Sequence, residues 1–315
     1  MANLDYLFQK FNKELTITDT KKSKMMASRE NLRKKIKKHF EDNHEDYSPK
    51  FFIQGSYKLK TIIRTEDDSC DLDDGVYFKS NPNNVTGTTL QKWVKEAVDG
   101  TTDATPTHKK KCIRVDYMAG YNIDLPIMVF DEDKDAHPYL AVKNADFQLD
   151  DPKEFVDYFN KKKTDQMVRI IKYLKAWCDH KREDMPSGLS MTVLALNHYI
   201  ENQRDDIALQ YILIEIENEL KRDFKCIMPT TPKDDLFADY SETKKNNFMN
   251  NLRSFIEDAK KTIAEPNHLK SSNIWQKHLG DRFPEGEDKN DKESSNFSTI
   301  ASKSRPYYAR KQPGI

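Results

Sequence analysis

Asp71, Asp73 and Asp74 fall within one short apolar segment, CDLDDGVYF, that begins at Cys70. Alternate residues of a strand share a face, so Asp71 and Asp73 stand together with Cα atoms about 6.5–7 Å apart. Cys70, Leu72, Val76 and Phe78 then form an opposite, apolar face. Asp74 breaks the alternation, and Gly75 beside it reads as a bulge that redirects the side chain. Two carboxylates on one face repel each other unless a cation lies between them. Mg²⁺ takes oxygen ligands and commonly combines one or two carboxylates with substrate phosphates. Two such ions about 4 Å apart can stabilise both the attacking and the leaving oxygen of a phosphoryl transfer. The bland alternative is a charged strand end beside an acidic loop.

A two-ion site needs a third carboxylate from a neighbouring strand. Asp124 in YNIDLPIMVF lies between Ile123 and Leu125, where a merely solvated carboxylate is out of place; Asp116 in IRVDYMAG competes for the role. Upstream, Gly55-Ser56 follows a strand-like segment. Glycine lets backbone approach a phosphate closely, and N–H groups at such a corner form an anion cradle. The Ser56 hydroxyl adds a donor.

The elements that must position these residues follow from periodicity. Residues 19–45 carry Met26, Leu32, Ile36 and Phe40 on one helical face, and the helix is expected to end before Tyr47-Ser48-Pro49. Strands are expected at Lys50–Gln54, Leu72–Phe78, Cys112–Tyr117 and Tyr121–Phe130, with a helix bearing Leu90, Trp93, Val94 and Ala97 among them. From Asp151 the pattern becomes helical almost throughout, with TDQMVRIIKYLKAWCDHKR amphipathic and GLSMTVLALNHYIE apolar nearly all round. From Pro284 apolar periodicity fades, and a flexible tail is expected. The predicted fold is α+β: a mixed lobe over 1–150, a helical lobe over 151–283 and a tail over 284–315.

Composition narrows the class. Lys plus Arg and Asp plus Glu number 52 each among 315 residues, so the basic excess usual for duplex binding is missing. The KKK runs at 109–111 and 161–163 and KKIKK at 34–38 read as solvated faces. No apolar run approaches the roughly 20 residues of a membrane span, and the charged N-terminal pattern is unlike a signal peptide. Cys70, Cys112, Cys178 and Cys226 stand singly, without C-x-x-C spacing, which suits a reducing cytosol.

Strand, Gly-Ser corner, D-x-D strand and a later apolar-flanked Asp together resemble the polymerase-β-like nucleotidyltransferase superfamily. Within it, QGSYKLKT, DLDDGVYF, RIIKYLKAWCDH with PSGLSMTVLAL, and IWQKHLGDRFP are similar to the cGAS/DncV-like nucleotidyltransferases (CD-NTases) of bacterial anti-phage signalling, CBASS. The resemblance implies a nucleotidyltransferase lobe plus a helical lobe closing the active-site cleft. It implies Asp71, Asp73 and Asp124 as ligands of two Mg²⁺ ions (or Mn²⁺), Gly55, Ser56 and Ser190 as triphosphate contacts, and Lys175 as the partner of donor phosphates. Leu189 occupies the position where relatives stack an aromatic on a base.

The implied activity joins ribonucleoside triphosphates with release of pyrophosphate into a cyclic dinucleotide or oligonucleotide second messenger. A purine product, cyclic di-GMP or cyclic GMP–AMP, is expected. The expected setting is a monomer in the bacterial cytoplasm, off the membrane, without a nucleic-acid activator, and with CBASS accessory or effector proteins as partners. A linear-oligonucleotide or RNA-end nucleotidyltransferase is the enzymatic alternative, and a nucleotide-binding regulatory protein the non-enzymatic one.

Overall fold

The computed structural model describes residues 2–291. In chain order its elements are α1 (Asp5–Glu14), α2 (Asp19–Asn43), β1 (Pro49–Gln54), α3 (Gly55–Lys58), β2 (Asp71–Phe78), α4 (Gly87–Val98), β3 (Thr107–His108), β4 (Ile113–Tyr117), β5 (Tyr121–Leu125), β6 (Ile127–Val129), β7 (Tyr139–Leu140) and β8 (Gln148–Leu149). Helices follow: α5 (Pro152–Lys162), α6 (Asp165–Lys181), α7 (Gly188–His198), α8 (Asp205–Arg222), α9 (Glu242–Ala264) and α10 (His268–Leu279). None of these helices is long and apolar enough to cross a membrane.

β2 is the centre of the sheet. It pairs antiparallel with β1 and parallel with both β5 and β6, and β4 and β7 extend the sheet outward from those two. The expected single strand over Tyr121–Phe130 is two strands, because Pro126 has no N–H to give to a ladder. Its carbonyl still accepts from Val76 N at 2.8 Å, and both halves keep the same register along β2.

The bulge expected at Gly75 is absent. The β1–β2 ladder runs unbroken from Pro49↔Phe78 to Gln54↔Asp73, with Gly75 opposite Phe52. Asp74 needs no redirection, since it is fully buried and paired with Arg33 of α2, whose Nε donates to Oδ2 at 2.7 Å. The inner face of α2 begins one residue earlier than its pattern suggested: Met25, with Leu32, Ile36 and Phe40, is buried, while Met26 is only partly covered. Those residues pack with Leu72, Val76, Phe78, Leu90 and Val94 to form the core beneath the sheet.

The second core unites α5–α10 around Trp177, Phe248, Phe255 and Trp275. It also claims α1, whose Leu7, Phe8 and Phe11 are buried there, and Tyr173 Oη donates to the Phe8 carbonyl at 2.9 Å. By packing, the chain's first helix therefore belongs with the helical lobe rather than with the lobe expected over 1–150. The tail expected from Pro284 is fixed as far as it is described. His268 N donates to Lys289 O and Gly286 N to Ser272 Oγ, tying residues 286–289 to the start of α10. Residues 292–315 lie outside the described part.

Candidate active site

Parallel pairing of β2 with β5 sets Asp71 opposite Asn122 and Asp73 opposite Asp124. Residues facing each other on one side of neighbouring strands bring their Cβ atoms to about 5 Å. Antiparallel pairing with β4 adds Arg114 opposite Asp124 and Asp116 opposite Asn122. One face of three adjacent strands thus carries Asp71, Asp73, Asn122, Asp124, Arg114 and Asp116.

Each carboxylate has a different environment. Asp71 is half exposed and accepts from Asn122 Nδ2 at 3.0 Å. Asp124 is mostly covered and takes a two-point contact from Arg114, Nε to Oδ1 and Nη2 to Oδ2, each 2.7 Å. The same Nη2 lies 3.2 Å from Asp71 Oδ2. Asp73 has neither a hydrogen bond nor an ion pair from its carboxylate among the described residues. Burial, with the charges of Asp124 and Asp71 behind it, pushes its pKa up to about 7. Asp116 likewise makes no ion pair among the described residues, and it lies further along β4 than the Asp73–Asp124 pair.

The Gly55-Ser56 corner begins α3, directly after β1, and β1 pairs with the D-x-D strand. Gly55 has φ +62°, which glycine adopts without steric cost. A Cβ at Gly55 would overlap Asp73 Oδ2 and lie 2.8 Å from Asp73 Cγ. The corner and the central carboxylate are therefore in contact. Ser56 O accepts from both Thr61 N and Ile62 N, which curls the following loop back over the corner.

That loop meets the helical lobe across a cleft of about 520 Å³. Ser56, Thr61, Ser69 and Asp71 line one side; Lys175, Asp179 and Arg182 from α6 and its C-terminal end, with Gly188 from the start of α7, line the other. Lys175 Nζ donates to Thr61 O at 3.2 Å and Oγ1 at 3.0 Å. Burial lowers the Lys175 pKa to about 8, while the charge of Asp73 works in the opposite direction. Asp179 accepts from Glu66 N at 2.7 Å and Arg282 Nη2 at 3.0 Å, so the loop is anchored at its far end as well.

Of the residues singled out in the sequence, Ser56, Asp71 and Lys175 line this cleft, and Gly55 and Asp73 touch beside it. Asp124 is held under Arg114. Ser190 is buried and bonds to Ser187 Oγ at 2.8 Å, within the cap of α7, and it is not among the lining residues. Arg114, Asn122 and Thr61 were not anticipated. Strand alternation could have found two of them, because Asn122 precedes Asp124 by two residues and Arg114 precedes Asp116 by two, so each shares an aspartate's face.

An all-oxygen donor set, with the central Asp73 carboxylate free of any ion pair among the described residues, fits a hard divalent cation. The three aspartates do not all come within 4.8 Å of one another; among the described residues the group that does is His137, Asp151 and Glu154. That cluster satisfies itself. His137 Nδ1 is 2.9 Å from Asp151 Oδ2, and Glu154 accepts from Thr231 N at 2.9 Å, which ties the start of α5 to the loop after α8.

A Gly-Ser corner against a D-x-D strand, a third Asp in register and a helical lobe across the cleft are the arrangement expected of a polymerase-β-like nucleotidyltransferase fold. Residues 49–128 match the family described as cyclic GMP-AMP synthase DncV-like, nucleotidyltransferase domain. Over residues 49–128 the chain is thus similar to DncV-like nucleotidyltransferase domains, and its fold is similar to that of DncV. Over 209 residues it is 26% identical to a cyclic GMP-AMP synthase of Escherichia albertii, covering 60% of this chain and 45% of that protein. The chain therefore matches under half the length of that curated relative. The structure of Vibrio cholerae DncV, a cyclic AMP-GMP synthase and prokaryotic cGAS homolog, superimposes with TM-score 0.77 at 17% identity over 90% of this chain and 97% of that one. Its complex with the linear intermediate pppA(3′,5′)pG gives TM-score 0.78 at 17% identity, over 90% and 96% of the two chains.

Proposed function

We propose that this protein joins ribonucleoside triphosphates into a cyclic dinucleotide, with Asp71, Asp73 and Asp124 as its metal-holding carboxylates. The observation that carries this reading is the contact of Gly55 with Asp73, which itself faces Asp124 in register. It brings a phosphate-accepting corner to the carboxylates that would hold the metal. The fold shared with Vibrio cholerae DncV supports the same reading.

Bound Mg²⁺ would supply charge neutralisation at the triphosphate and make the attacking hydroxyl more acidic. The remaining work belongs to this chain's residues. The Gly55-Ser56 backbone and the Ser56 hydroxyl hold the triphosphate. Lys175, already directed into the cleft, neutralises the departing pyrophosphate. A ribose hydroxyl oxygen bonds to the α-phosphorus as the α–β bridging bond breaks, and Asp124 accepts the hydroxyl proton. Positioning and fixed electrostatics would supply most of the rate. A second transfer with donor and acceptor exchanged closes the ring.

A purine product is favoured because the Vibrio cholerae relative is a cyclic AMP-GMP synthase whose complex holds an adenine–guanine linear intermediate. We read the product as a second messenger for anti-phage defence, in keeping with the bacterial relatives the sequence resembles. Incubation with Mg²⁺ and each α-³²P ribonucleoside triphosphate in a mixture of all four, followed by phosphatase, tests the reading. A labelled product that migrates identically with and without phosphatase supports ring closure. Products that phosphatase trims would instead indicate a linear-oligonucleotide transferase, and no product would favour a nucleotide-binding protein.

A further inference from the structure

We infer that Arg114 is a built-in counterion that occupies the divalent-metal position until the metal displaces it. The inference rests on the proposed metal role of the aspartates. Arg114 comes from β4, two strands away from β2, and reaches across β5 to Asp71. Its fork grips both oxygens of Asp124 and, through Nη2, also Asp71 Oδ2. A single nitrogen thus bridges the two outer carboxylates, at 2.7 and 3.2 Å. A Mg²⁺ ion bridging the same oxygens would bind each at about 2.0–2.1 Å. Cation and guanidinium cannot share that point, and the carboxylates must close by roughly an ångström around the smaller ion.

The burial of the neighbours gives the arrangement a purpose. Asp73 and Asp124 face each other on adjacent strands, and Lys175 is bonded to Thr61 rather than to either of them. Were Arg114 absent, the carboxylates of Asp71, Asp73 and Asp124 would have no cation in contact among the described residues. The two-point guanidinium contact is strong and geometrically specific, and a lysine cannot reproduce it. Arg114 is accordingly a positioning residue. It keeps Asp124 and Asp71 splayed in the metal-free protein, and raises the free-metal concentration at which they close.

The test is Mn²⁺ binding without nucleotide, measured by electron paramagnetic resonance on wild-type protein, Arg114→Gln, Arg114→Lys and Asp73→Asn. The expected result is about tenfold tighter binding in Arg114→Gln, a smaller gain in Arg114→Lys and loss in Asp73→Asn. Equal or weaker binding in Arg114→Gln would overturn the inference and make Arg114 a simple orienter of Asp124. Loss in Asp73→Asn alone would leave the metal site standing while removing this role of Arg114. No binding to any of the four proteins would overturn the metal site and the inference together. If Arg114→Gln does not fold, the Nε–H proton of Arg114 in the wild-type protein answers the question by nuclear magnetic resonance. Its exchange with water should quicken several-fold on adding Mg²⁺; unchanged protection at saturating Mg²⁺ contradicts displacement.

Discussion

Gly55 and Asp73 are in contact: any side chain at Gly55 would occupy the space of the Asp73 carboxylate. The corner that accepts phosphate and the carboxylate that accepts metal are fixed to each other by the β1–β2 ladder, which pairs Gln54 with Asp73.

Gly55→Ala should therefore damage the site more than the fold. The positive φ at Gly55 costs a non-glycine residue about 1–2 kcal/mol. The added methyl must also displace Asp73. A fall in nucleotidyl transfer of roughly 100-fold or more, with the thermal midpoint lowered by only a few degrees, is the expected outcome of paired activity and melting measurements.

Asp74 should behave in the opposite way to its neighbours. Its carboxylate is fully buried against Arg33, and removing one partner of such a pair leaves an uncompensated charge. Arg33 retains some exposure, so Asp74→Ala is expected to cost about 2–4 kcal/mol of stability. Below the lowered melting temperature the folded fraction should still bind Mn²⁺, in contrast to Asp73→Asn. Chemical denaturation and metal titration of the two variants separate the roles.

This distinction was only partly legible in the sequence. The alternation of D-L-D, the Gly-Ser corner and the apolar-flanked Asp124 were visible because strand periodicity sorts faces by residue number alone. Which carboxylate is structural was not visible, because Arg33 lies 41 positions before Asp74 and reaches it only through the packing of α2 on the sheet. Arg114 was missed for a related reason: its meaning comes from the register of β4 against β5. The split at Pro126 was foreseeable from the missing N–H, whereas the transfer of α1 to the helical lobe depends on long-range packing that no local pattern records.

The pH dependence of stability without metal should carry the mark of Asp73. Its folded pKa, about 7, stands above the ordinary carboxylate value, so the folded state binds the extra proton. The stability it contributes is full below about pH 4 and is lost as pH rises through about 7. Mg²⁺ favours the ionised carboxylate, so the gain in melting temperature on adding Mg²⁺ should be larger at about pH 8 than at about pH 6. Asp73→Asn should remove that difference. Calorimetric scans at the two pH values, with and without Mg²⁺, check the sign.

Lys175 should show the conflict between stability and function directly. Burial holds its pKa near about 8, below the ordinary value, so the charged form is disfavoured by folding at any pH below that. Replacement by Met is expected to stabilise the metal-free protein by about 1–2 kcal/mol at neutral pH, after allowance for the lost Thr61 bonds. The same change should lower turnover by roughly 10-fold or more. A variant both less stable and fully active would refute the assignment.

The most direct test of the central claim is the anomalous scattering of Mn²⁺ in crystals grown with a non-hydrolysable nucleoside triphosphate. The expected result is a peak within bonding distance of Asp73 and of Asp71 or Asp124, with the triphosphate seated on Gly55-Ser56 and the Arg114 fork withdrawn. A peak confined to His137, Asp151 and Glu154, with no metal at the three aspartates, would contradict it.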